Sequence, residues 1–204
     1  MPVQCDHALD IGCGSGVFAR KLARHARFVE AVDKAADVVA DARRQSIGTP
    51  NLAYIQADFS DYDLRPTGYQ FISCLASLHH MPFAETVSRL RDALVPGGVL
   101  AVLGCYRTAT LADYLHDVVA VPANLAARAG AGMAAVLHGD RGIESATAPI
   151  SEPQMSLLEV RAEASRLLPG SETRRWLVWR YTLVYRRRER VGDDAYPGPH
   201  GFRD

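Results

Sequence analysis

Asp10 and three glycines at alternate positions, in ALDIGCGSGVFARKL, separate an apolar strand-like run from a helix-like one. A glycine turn at the carboxyl end of a buried strand lets backbone approach a ligand closely, and the helix after it offers free N–H groups. Several cofactors use that geometry. The dinucleotide fingerprint needs G-x-G-x-x-G, but Val17 occupies its third glycine position and the actual third glycine is Gly16. Farther along stand two more acids, Asp33 at the end of FVEAVD and Asp58 after NLAYIQ, and an adjacent histidine pair, His79 and His80. A histidine titrates near neutrality and can take a proton from a substrate. Two adjacent histidines without another ligand at suitable spacing make an incomplete metal site, so no metal is expected.

The elements that must position these residues follow from the hydrophobic pattern. HALDIG, FVEAVD, NLAYIQAD, YQFISCLA and GVLAVLGC read as strands, with helices over Gly16–Ala26, Ala36–Gln45 and Phe83–Val95 between them. Phe83, Val87, Leu90 and Leu94 share one face of the third helix, and the Pro96-Gly97-Gly98 turn stops it. Strands without polar alternation, separated by helices, imply a doubly wound α/β fold, a parallel sheet covered on both faces. After Tyr106 an Ala-rich helical stretch and a Gly-containing segment run to about residue 149. A helix over Glu152–Leu168 ends at Pro169-Gly170, and SETRRWLVWRYTLVYRR forms two strands or one bent strand. The expected organisation is one domain over residues 1–187, with 106–149 as a helical lid or substrate insertion and 188–204 as a disordered tail.

The motif order resembles that of the class I S-adenosylmethionine-dependent methyltransferases, and within them the small-molecule, type 11-like methyltransferase domains. The glycine stretch is similar to their D/E-x-G-x-G-x-G motif; YQFISCLASLHHM looks like their fourth-strand motif, and LRDALVPGGVLAVLG like the helix, turn and fifth strand after it. The resemblance covers about residues 6–105, and the strands near 174–187 are similar to the antiparallel end of that sheet. It implies a Rossmann-like sheet, mostly parallel with an antiparallel C-terminal strand, and S-adenosyl-L-methionine as cofactor. The donor's cationic amino group and ribose hydroxyls need acceptors when buried, which suits two carboxylates. By the resemblance Asp10 faces the amino-acid end and Asp33, with Lys34 beside it, the ribose. Ile11 or Phe59 flanks the adenine, and Asp58 accepts from its amine. Gly12, Cys13, Gly14, Ser15, Gly16, Cys74 and Leu75 complete the donor site. His79 and His80 fall beside the methyl donor as candidate bases, and Tyr106, Tyr114 and His116 are candidates to line the acceptor pocket, although packing or solvent exposure is an open reading for each.

Two departures from the family pattern carry expectations. Gln70 stands where the fourth strand usually has Asp, which implies loss of a structural hydrogen bond. The first strand begins about seven residues from Met1, a shortened N-terminal cap; the site is then expected to be more open, closed by 106–149 or by another subunit of a homo-oligomer.

The acceptor is expected to be a small molecule. Nucleobase amine methylation usually goes with N/D-P-P-Y/F at the fourth strand, where this chain has CLASLHH. Lys plus Arg and Asp plus Glu both number 23, so no net positive field favours nucleic acid. Cys5, Cys13, Cys74 and Cys105 form no C-x-x-C pair and read as reduced thiols. With neither a signal pattern nor a roughly 20-residue apolar span, a cytoplasmic protein without a membrane partner is expected. Two rivals stand beside the methyltransferase: a binder of S-adenosylmethionine without turnover, and an NAD-dependent oxidoreductase, for which a proton-transfer pair is not evident.

Overall fold

The computed structural model describes residues 2, 4–109, 153–176 and 179–189. Tyr114 and His116, nearly all of the 106–149 stretch and nearly all of the expected tail lie outside these residues. In chain order the elements are β1 (His7–Ile11), α1 (Val17–Leu22), β2 (Phe28–Asp33), α2 (Ala36–Gln45), β3 (Leu52–Gln56) and β4 (Tyr69–Leu75). A single 3₁₀ turn (Leu78–His80) leads to α3 (Phe83–Ala93), β5 (Leu94–Cys105), α4 (Leu157–Leu167), β6 (Glu172–Arg175) and β7 (Arg180–Arg186).

The seven strands form one sheet in the order β3-β2-β1-β4-β5-β7-β6. The first five strands run parallel; β7 pairs antiparallel with both β5 and β6. This is the expected doubly wound sheet, and SETRRWLVWRYTLVYRR resolves into two strands of a hairpin. The order reverses between β1 and β4, which places a ligand crevice at their carboxyl ends.

Alternation along the strands separates two apolar layers. Leu9, Ile11, Ile72, Leu100, Val102 and Leu183 point to the side of α3 and α4, where they meet Val87, Leu90, Val160 and Ala164. Phe83, Val87, Leu90 and Leu94, the residues expected on one face of the third helix, are all buried. Ala8, Val29, Phe71 and Val99 point to the other side, toward Leu22 of α1.

Three expectations need correction. Helix α3 ends at Ala93, because Leu94 is already extended and paired with Tyr69. Pro96-Gly97-Gly98 therefore lies inside β5 as a bulge, and pairing resumes at Phe71 with Val99. The α3 terminus is instead closed by Arg187, whose guanidinium donates to the carbonyls of Arg91 (3.2 Å), Asp92 (3.0 Å) and Leu94. Arg187 thus caps the helix from a neighbouring strand end. The expected loss at Gln70 is likewise made good, since its Oε1 accepts from the His7 amide at 2.7 Å.

Beyond β5 the Arg107 amide donates to the Met155 carbonyl at 2.8 Å, and Arg107 bridges Ser156 in parallel. Ser156 caps α4 reciprocally with Glu159, so the chain's return to the sheet is fixed by a capping box. No helix among the described residues is long and apolar enough to cross a membrane.

Candidate functional site

The turn after β1 is built on β2. Val32 accepts hydrogen bonds from the amides of Gly12 (2.8 Å) and Cys13 (3.1 Å), and Gly16 donates back to Cys13 (3.0 Å). Its glycines have different reasons. A Cβ on Gly12 would fall 2.3 Å from the Ser77 Cβ, and one on Gly16 would fall 2.0 Å from the Tyr54 hydroxyl oxygen, so protein backing excludes both. Gly14 has φ +52° and a Cβ there would meet nothing within 4 Å among the described residues. Its outer side is open, as a close-approaching ligand requires.

Asp33 holds this turn in shape. Its Oδ2 accepts from the Gly14 amide at 2.9 Å and its Oδ1 from the Ala35 amide at 3.0 Å. Each carboxylate oxygen has a second lone pair, which leaves capacity for a ligand hydroxyl. Asp10 is more deeply placed, 2% exposed, and its Oδ1 accepts from Ser73 Oγ at 2.7 Å. Burial pushes its carboxyl up to about 7; the Ser73 bond acts against that rise and the nearby Asp33 charge adds to it. Neither acid has an ion-pair partner among the described residues. Two carboxylates without a cation, beside the open side of Gly14, fit a ligand that brings positive charge and hydroxyls.

The β4 end closes the other wall. Ala76 takes a left-handed φ of 57°, an uncommon conformation for a residue with a Cβ. Its amide donates to the Leu103 carbonyl at 2.7 Å. Ser77 Oγ donates to the Ile11 carbonyl at 2.7 Å and lies 3.0 Å from Cys74 Sγ, tying the β4 end to the glycine turn. Burial pushes the Cys74 thiol up to about 12 and raises Cys13 as well, where the charges of Asp10 and Asp33 add to it. Both are packing groups rather than nucleophiles.

His79 sits in the turn that follows, half-buried, with Nδ1 enclosed and without a hydrogen-bond partner among the described residues. Desolvation, then the neighbouring His80, lowers its pKa from the ordinary imidazole value. The two rings lie 4.0 Å apart, with His80 on the exposed side. Among the described residues no three His, Cys, Asp or Glu side chains gather as a metal site would require.

Other expected residues are placed less directly. Asp58 is exposed, and its Oδ1 accepts from the Ser60 amide (3.0 Å) and hydroxyl (2.8 Å), which lower its carboxyl. Lys34 is exposed beside Asp33, Leu75 is half-buried at the β4 end, and the Ser15 carbonyl accepts from Arg20 at 2.9 Å. Ile11 and Phe59 are 1% and 7% exposed and belong to the core. The Arg89 guanidinium covers the Phe59 ring at 4.6 Å while donating to the Phe59 and Tyr62 carbonyls. Tyr106 is also a core residue, 2% exposed, and its hydroxyl accepts from Arg175 Nε at 2.8 Å. Its ring does not line an open pocket, because β7 and α4 side chains pack in the same core.

Sequence reading missed Ser73, Ser77 and Tyr54. Small hydroxyls inside the apolar run of FISCLASLHH were the available signal for the serines; nothing local marks Tyr54, whose role depends on β3 lying behind Gly16.

Comparison with known proteins agrees with this geometry. Residues 8–98 match the family model described as a methyltransferase domain. An uncharacterized methyltransferase of Mycobacterium tuberculosis is 32% identical over 188 residues, 91% of this chain and 89% of its own. A ubiquinone biosynthesis O-methyltransferase of Vibrio parahaemolyticus is 34% identical over 93 residues, 44% of this chain and 40% of that one. Among solved structures, an S-adenosylmethionine-dependent methyltransferase from Mesorhizobium loti shares the fold with a TM-score of 0.63 at 16% identity, covering 92% of this chain and 94% of that one. With sheet order, glycine turn and relatives in agreement, the chain belongs to the S-adenosylmethionine-dependent methyltransferases of class I.

Proposed function

We propose that the chain methylates an O, N or C atom of a small molecule, with the donor lying across the carboxyl ends of β1 and β4. The observation that carries this is the pair of carboxylates, Asp10 and Asp33, facing a glycine turn without a cation among the described residues. S-adenosylmethionine supplies a methyl group on a sulfonium, already activated for in-line displacement.

The protein's share is then alignment and exclusion of water. Gly12, Cys13, Gly14, Ser15 and Gly16 bring backbone to the donor's amino-acid end, with Asp10 beneath to balance its positive charge. Asp33, its orientation fixed by Gly14 and Ala35, accepts from the ribose, and Lys34 borders it. Asp58 and the edges of Ile11 and Phe59 border the adenine, while Leu75 and the backbone of Cys74 form the floor on β4. His79 is the better placed of the two histidines to take a proton from an acidic acceptor. Its ring is half-buried, and its lowered pKa favours the neutral form that can accept a proton. A strong base is needed only where the acceptor atom carries a proton it does not lose readily.

Incubating the protein with isotopically labelled donor and a small-molecule extract, followed by mass spectrometry, tests the reading. A labelled small-molecule product is expected. Saturable donor binding with label on no small molecule would refute methyl transfer to this class of acceptor.

A further inference from the structure

Strand register carries the donor site sideways onto β5 and β7. Asp10 and Ser73 meet on one face of the sheet, and alternation puts Leu75 on that face one residue pair nearer the carboxyl end. Leu75 pairs with Leu103, and Leu103 pairs with Thr182. The indole of Trp176 extends the row, since its Nε1 donates to Thr182 Oγ1 at 3.0 Å. With strands about 4.8 Å apart, the β4 end and β7 are separated by about 10 Å, the length of a small molecule.

At the far end of this row Leu103, Trp176, Arg180 and Thr182 line a concavity of about 290 Å³. Its chemistry is unlike that of the donor end. Trp176 is 55% exposed although indole is costly to leave in water, and the bond to Thr182 fixes the ring while leaving a face open. Arg180 is exposed and has no carboxylate partner among the described residues, unlike Arg174, which pairs with Glu172. A fixed aromatic face, a guanidinium without an ion pair and a hydroxyl, in one small concavity, match a planar ring bearing a carboxylate. Charge is thereby divided along the row, with acids at the donor end and a cation at the other.

We propose that this concavity is the acceptor subsite and that the acceptor is a small aromatic carboxylate, its ring against Trp176 and its carboxylate on Arg180. The proposal rests on the donor lying at the β1 and β4 ends. Trp176 and Trp179 are the chain's two tryptophans, so Trp179→Phe makes Trp176 the sole indole.

In that background, with S-adenosylhomocysteine at saturation, indole fluorescence is titrated with benzoate, 4-hydroxybenzoate and 4-hydroxycinnamate and with their neutral amides. At least one carboxylate should quench saturably, and both its amide and an added Arg180→Gln change should weaken binding about 10-fold or more, as loss of a charge-assisted bond implies. Calorimetry should give the same S-adenosylhomocysteine affinity with and without Arg180→Gln. Equal binding of acid and amide, indifference to Arg180→Gln, or no quenching by any probe while S-adenosylhomocysteine binds would overturn the subsite and leave the donor reading standing. Failure of S-adenosylhomocysteine to bind would overturn both.

Discussion

Replacing Asp10 with Asn should make the donor-free protein more stable at alkaline pH while weakening its hold on the donor. Asp10 is 2% exposed and its carboxyl is raised to about 7, chiefly by burial, against an ordinary value of 3.8. Asp33, Cys13 and Cys74 are the titratable groups beside it, and none brings positive charge. A carboxyl whose folded pKa is raised keeps its proton in the folded state where the unfolded chain has released it. Stability is therefore highest below about pH 4 as far as this group is concerned, and falls as pH rises toward 7. At about 1.4 kcal/mol per pH unit, that window sets an upper bound of ~4 kcal/mol, and relaxation around a buried charge reduces it to about 2. Asn keeps the shape and the Ser73 contact but cannot ionise. Urea unfolding of both proteins at pH 5 and pH 8 measures the part of this that falls between them: wild type should lose about 1 kcal/mol relative to Asp10→Asn. The same linkage requires a cationic donor to release protons from the wild type near pH 6, visible as buffer-dependent binding enthalpy and absent in Asp10→Asn. Parallel stability profiles for the two proteins would refute the assignment of a strained buried carboxyl to Asp10.

Asp33→Ala should weaken donor binding by about 1–3 kcal/mol in calorimetry, because it removes the proposed ribose acceptor and leaves the Gly14 and Ala35 amides without their partner. Gly16→Ala should lower the thermal midpoint, since the added methyl meets the Tyr54 hydroxyl at 2.0 Å and φ is +75°; Tyr54→Phe in the same chain should recover part of the loss. His79→Gln should reduce turnover of an acceptor that carries a proton and leave donor affinity unchanged, with the acidic limb of the pH–rate profile removed. Arg187→Met should cost about 1–2 kcal/mol in urea unfolding, through the carbonyls at the end of α3, without altering donor affinity.

What could be read from the sequence depends on the range of the interaction involved. The parallel strands and the helices between them follow from local hydrophobic period, and the glycine turn from spacing, so both were readable. Capping by Arg187 was hidden because its partners lie about ninety residues away, across the sheet. The place of Pro96-Gly97-Gly98 was hidden for a related reason. A turn signal says that the chain bends, but only pairing with Tyr69 and Phe71 makes the bend a bulge within a strand. Phe59 and Tyr106 show the same limit in side chains. An aromatic residue beside a motif has the same composition whether it faces a ligand or an arginine from another element, and here Arg89 and Arg175 decide.

The alternation of a strand is local, but which residues share a row across several strands is settled only by register. That is why the glycine turn and the acids around it could be singled out from motifs, while the concavity at Trp176 could not. Leu103, Trp176, Arg180 and Thr182 come from three strand regions with no common motif. Their position follows once Leu75 is paired with Leu103 and Leu103 with Thr182. In a fold whose donor site is carried by a glycine turn, selectivity for the acceptor can vary independently, because the antiparallel strands that bear it contribute nothing to that turn. Substitutions at Trp176 or Arg180 should therefore change which acceptor is used and leave donor affinity intact, whereas substitutions at Asp10 or Asp33 should weaken turnover of every acceptor alike.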